Sequence, residues 1–103
     1  MDPLELEVTA AIWHWRGPSP FHFVPLPEPA CAQLREVARS VTYGWGMVPV
    51  RARLGATEWT TSLFPKDGGY LLPVKDAVRR AEQVDDGDVV TVQLVVASPA
   101  GAR

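Results

Sequence analysis

Cysteine is nearly absent from these 103 residues. The lone thiol, Cys31, excludes an intrachain disulfide framework and suits a reducing compartment, so a cytoplasmic location is expected. No apolar run approaches the ~18 residues of a membrane-spanning helix, and the N-terminal MDPLELEV is acidic where a secretory leader would be basic. An excess of one charge is missing too. Ten basic residues face twelve acidic ones, a formal net charge of −2, whereas nucleic-acid-binding domains normally carry a basic face. Metal ligands are equally sparse: His14, His22 and Cys31 fall short of the roughly four ligands of a structural zinc site and lack its spacing. No metal or other cofactor is expected.

Catalytic signatures are lacking as well. Ser62 has no Gly-x-Ser-x-Gly elbow around it and no helix directly after it. Gly68-Gly69 precedes a strand, whereas a phosphate-cradling loop opens a helix. No repeat of solenoid length occurs. No catalytic residue is assigned, and a role without catalysis is expected.

What the chain does have is alternation. Leu4, Leu6, Val8, Ala10 and Ile12 recur at every second position, which predicts a first strand over 4–15 with one buried face. Trp13 and Trp15 fall on its polar side. Gly17-Pro18-Ser19-Pro20 breaks it, and a short second strand over 21–24 pairs back on it before the prolines at 25, 27 and 29. Ala30, Leu34, Val37, Ala38 and Val41 then form one helical stripe, predicting a helix over 28–41 with Cys31 as a small buried hydrophobe. Residues 47–74 read as a three-strand meander. A two-residue turn at Gly55-Ala56 sets its register: Leu54 opposite Thr57, Ala52 opposite Trp59, Val50 opposite Thr61 and Val48 opposite Leu63. Arg51 and Arg53 then face outward, and Met47 with Phe64 forms an apolar outer end for a helix to cover. A second helix over 75–83 turns Val74, Val78 and Ala81 inward. A last strand over 89–97 is apolar enough for partial burial on both faces. The expectation is mainly β with two short α-helices: a small closed or double-split β-barrel of about six strands, order β-β-α-β-β-β-α-β. Residues 1–97 form one domain, and 98–103 a disordered tail.

Gly44-Trp45-Gly46-x-Val48-x-Val50, the run Trp59-Thr60-Thr61-Ser62-Leu63-Phe64-Pro65, Gly69-Tyr70-x-Leu72-Pro73-x-Lys75, Val78-Arg79-Arg80-Ala81 and Gly87-Asp88-x-Val90 together resemble a bacterial domain of unknown function, DUF1905. The resemblance spans roughly residues 4 to 96 and implies a small double-split β-barrel capped by helices, with no established activity. The segment 70–94 is also distantly similar to the swapped-hairpin transition-state regulators, a likeness of architecture that carries no function across.

Two groups of residues are candidates for binding. Trp13, Trp15, Trp45 and Trp59 either line an apolar pocket at a barrel mouth or fill the core and its rim. Between residues 51 and 80 stand six cations, among them Arg51, Arg53, Lys66, Lys75 and Arg79, against Glu58, Asp67 and Asp76. Converging at one barrel end, they would hold a carboxylate, a phosphate or a nucleic-acid backbone; dispersed, they are solvated surface charges. The expected function is a non-enzymatic module for a small anionic or aromatic ligand or a protein partner. Its candidate ligand-binding residues are Trp45, Arg51, Trp59, Ser62, Lys66, Lys75 and Arg79. Nucleic-acid binding through the basic 51–80 segment is the alternative, and an enzyme acting on a small molecule is a further one. The enzyme would need a displaced titratable group from His14, His22, Glu58 or Asp76. No membrane association is expected, and the oligomeric expectation is a monomer or weak homodimer.

Overall fold

The computed structural model describes residues 4–17, 21–41 and 46–96. Trp45 and the tail at 98–103, both singled out above, lie outside the described residues. Seven strands and two helices follow in the order β1 (Leu4–Ala11), β2 (Trp13–Trp15), β3 (Phe21–Pro25), α1 (Glu28–Val41), β4 (Val48–Leu54), β5 (Thr57–Lys66), β6 (Gly69–Pro73), α2 (Asp76–Glu82) and β7 (Val89–Val96).

All seven strands belong to one curled antiparallel sheet, ordered β1-β7-β4-β5-β6-β3-β2. This corrects the closed six-strand barrel. The two ends of the sheet, β1 and β2, are consecutive in the chain and only Ile12 separates them, so the expected single strand over 4–15 is two. The reason lies in the hydrogen bonds of Ile12. Its N–H donates to the Asp88 carbonyl at 2.9 Å, and its own carbonyl accepts from Gly87 N–H at 2.9 Å. Both groups are therefore committed to the turn before β7. Inward parity survives the break, with Leu6, Val8 and Ile12 all buried.

The β4–β5 register is as expected at every pair: Leu54 with Thr57, Ala52 with Trp59, Val50 with Thr61 and Val48 with Leu63, leaving Arg51 opposite Thr60 and Arg53 opposite Glu58. The turn residue Gly55 has φ 59 while Ala56 keeps negative φ, the geometry of a II′ turn that matches strand twist. Asp67 and Gly68, with φ 52 and 82, close the second hairpin as a I′ turn, extending β5 to Lys66 and β6 back to Gly69.

The concave face of the sheet is the core. Val48, Val50, Ala52, Leu54, Trp59 and Leu63 meet Val90, Val92, Leu94 and Val96 there, each large apolar side chain contributing roughly 1.5–3 kcal/mol. Helix α1 lies against β1, β4 and β6, and α2 against β5. Ala30, Cys31 and Leu34 are the buried edge of α1, and Val78 is the buried residue of α2. Two smaller expectations are corrected and a third is narrowed. Ala81 is exposed, because α2 is only two turns long and docks through Val78. Of the outward residues of β7, Val89, Thr91 and Gln93 are exposed and Val95 alone is half-buried, so the second face of that strand is covered only at its end. Phe64 is 47% exposed, and among the described residues no helix covers it, since α2 meets β5 at its other end, where Thr57 bonds Glu82.

Candidate functional site

The outer face of the short strands is aromatic. Because β2 and β3 pair Trp13 with Phe23, His14 with His22 and Trp15 with Phe21, alternation sends all four large aromatics to one side and both histidines to the other. On the aromatic side, Trp13 meets Trp15 edge-on at 6.0 Å, Trp13 lies 6.2 Å from Phe23, and Phe21 stacks on Phe23 at 5.4 Å. Phe64 of β5 sits opposite Leu71 of β6 and extends the band. Between them runs a groove of about 510 Å³ lined by Trp15, Phe21, Phe23, Phe64, Pro65, Lys66, Asp67 and Leu71. Lys66 stands over the Trp15 ring with Nζ 5.8 Å from its centroid, within cation–π range. The same ammonium lies 3.7 Å from Asp67 Oδ2. Trp15 folds over Gly17 so closely that a Cβ there would collide with the indole.

On the opposite side of the same hairpin the two imidazoles stack, with centroids 4.2 Å apart and planes within 6°. His22 Nε2 reaches Asp85 Oδ1 at 3.2 Å, its side chain 11% exposed. Asp85 also accepts from Arg79 Nη1 at 3.2 Å, and Arg79 Nη2 donates to Asp76 at 2.5 Å. Asp86 accepts the backbone N–H of His14 at 3.2 Å and lies 3.5 Å from Arg16. Burial, then the Arg79 guanidinium, then His14 push the His22 pKa below the usual imidazole value, against the pull of Asp85 and Asp76. The hydrogen bond and charge of Arg79 hold Asp76 below the ordinary carboxylate range. Asp85 is held low first by the Asp86 N–H and then by Arg79 and His22. Chemically this is a pair of stacked imidazoles tied to a carboxylate that a guanidinium braces, beside a small cleft lined by Phe21, His22, Val74, Lys75 and Asp76. Among the described residues no cluster of His, Cys, Asp and Glu has the arrangement to hold a metal ion.

The structure separates the sequence candidates. Lys66 belongs to the aromatic groove. Ser62 and Lys75 line a shallow depression with Phe21, Met47, Thr60, Thr61 and Pro73. Arg79 is taken up by Asp76 and Asp85. Arg51 lies on the far half of the sheet, in a groove it shares with Arg53, Glu5, Glu7, Glu58 and Gln93. Trp59 is buried in the core, its Nε1 donating to the Pro73 carbonyl at 3.1 Å. The aromatic groove and the histidine cluster join residues far apart in the chain, Trp15 to Phe64 and His14 to Asp85. The available signal was parity: Trp13 and Trp15 sit opposite the buried residues of the first strand.

The molecule is a mainly β protein, one curled sheet packed with two helices and bearing an aromatic groove on its outer face. Among the described residues no helix is long and apolar enough to cross a membrane. The chain belongs to the family described as Domain of unknown function (DUF1905), whose model matches residues 9–94. A comparison with curated proteins gives no match.

Proposed function

We propose that this chain is a non-enzymatic binding module for a small aromatic anion seated in the groove between Trp15 and Phe64. One observation carries the reading. Of the five large hydrophobics exposed among the described residues, four (Trp13, Trp15, Phe21 and Phe64) lie together on this outer face. Apolar side chains gathered in this way mark interaction sites, whereas single exposed ones do not. The volume and lining suit a small molecule, the flat ring faces suit an aromatic body, and Lys66 at the rim suits a negative head group.

Titration with 2-naphthalenesulfonate, followed by calorimetry and by the Trp15 indole N–H resonance, tests this. Trp15→Ala and Phe64→Ala should each weaken binding about tenfold, the worth of one aromatic contact near 1.4 kcal/mol. Lys66→Gln should weaken the sulfonate and leave neutral 2-naphthol unchanged. Saturation that is absent, or indifferent to all three substitutions, would remove the reading.

Nucleic-acid binding through the 51–80 segment finds less support. Arg51 and Arg53 share their groove with Glu5, Glu7 and Glu58, and Arg79 is paired twice with aspartates, so the cations do not form one basic face.

A further inference from the structure

The hairpin that carries the aromatic groove on one side carries the stacked histidines on the other, and the turn at 85–88 grips it from that second side. We infer that His14, His22 and Asp85 form an acid-sensitive latch: a proton placed on the His22 ring, stacked on His14, loosens the β2–β3 hairpin and empties the groove. This rests on the binding reading above and names how that same site is regulated.

The argument is geometric. Rings 4.2 Å apart and nearly parallel suit neutral imidazoles, and a second positive charge at that separation is repelled. His22 also faces Arg79 across their shared partner Asp85. The groups around the stack are His14 from β2, Arg16 just after it, and Lys75, Asp76 and Arg79 from α2 and its N-cap. Asp85 and Asp86 of the turn complete the set. The carboxylates are already engaged: Asp76 by Arg79, Asp85 by Arg79 and the Asp86 N–H, Asp86 by the His14 N–H and Arg16. Little negative charge is left to compensate a proton on a ring that is 11% exposed. The depressed His22 pKa, with burial as its first cause and Arg79 and His14 next, agrees in direction. The hairpin itself is short, three pairs between β2 and β3, and the loss of its inner brace reaches Trp15 and Phe21 on the opposite face directly.

The test uses the whole chain and 2-naphthalenesulfonate, a probe ionised across the range. Binding should weaken about tenfold between about pH 7.5 and pH 5, the window in which histidine titrates. The double variant His14→Gln/His22→Gln should bind with little change over that window. Asp85→Asn, which removes a carboxylate that favours the charged ring, should move the wild-type midpoint to higher proton concentration; a merely structural contact would leave it in place. Amide hydrogen exchange of the free protein supplies a readout without ligand. Exchange of the 13–15 and 21–23 amides, relative to the β4–β5 ladder, should rise at the acid end in wild type only. Binding that is equal at both pH values, or a double variant that keeps the wild-type dependence, overturns the latch and leaves the groove reading standing. Failure to bind at about pH 7.5 removes the groove reading instead. In that case an unchanged exchange ratio overturns the latch, and an acid-dependent one sustains it as a device of the hairpin.

Discussion

The indole N–H of Trp59 donates to the carbonyl oxygen of Pro73 at 3.1 Å, so the central strand of the meander is tied through its side chain to the end of β6. Trp59 also faces Ala52 across the ladder, a large ring lodged over a small neighbour. Trp59→Phe keeps an aromatic ring, removes the donor and leaves the Pro73 carbonyl without it. Urea unfolding should show a loss of about 1–3 kcal/mol. Binding of 2-naphthalenesulfonate should be unchanged, since this ring lies in the core. A variant of wild-type stability that no longer binds would place Trp59 in the ligand site instead.

The first meander turn is constrained twice. Gly55 sits at φ 59, and a Cβ there would run into the Glu82 carboxylate, which accepts the Thr57 hydroxyl proton at 2.5 Å. Gly55→Ala should lower stability by about 1–3 kcal/mol through backbone strain and displacement of Glu82. In a Glu82→Ala background the same substitution should cost less, because only the strain remains. Equal costs in the two backgrounds would mean that the carboxylate moves aside freely.

Two pH windows are expected in stability. His22 has a folded pKa below its unfolded value, so the unfolded chain binds the proton first as pH falls. Stability should therefore fall with pH from about 6.5 downward until the folded pKa is passed. Asp76 and Asp85 are depressed, so the stability they contribute is present above about pH 3.9 and is lost as pH falls through their folded values. Thermal melts across pH should show both slopes. His22→Gln should flatten the upper one, Asp76→Asn the lower; a variant that flattened the other window would reverse the assignment.

Local pattern made much of this fold legible. Glycine at one turn position and strict alternation on either side leave a single register for β4 and β5, and the i, i+4, i+7 stripe gives α1 its observed bounds. What depends on curvature was not legible. Nothing in the run from Leu4 to Trp15 marks Ile12 as a break, because the cause is a turn more than seventy residues away that claims both its backbone groups. The same distance hides the site. Trp15 and Phe64, like His22 and Asp85, become neighbours only once the sheet curls. The cations between 51 and 80, by contrast, are close in sequence but held apart by the fold: Arg51 and Arg53 on β4, Lys66 at the end of β5, and Lys75, Arg79 and Arg80 on α2 and its N-cap. Cys31, expected as a small buried hydrophobe, is 2% exposed and its thiol donates a hydrogen bond to the Leu26 carbonyl.

An interruption in a strand is usually where a sheet comes apart. At Ile12 the opposite should hold. The residue is 2% exposed and fastened at both its amide and its carbonyl to the turn that launches β7, so the two halves cannot swing independently about it. Peeling either terminal strand would tug on the other through one locked pivot. The protein should consequently melt as one cooperative unit rather than as two half-sheets.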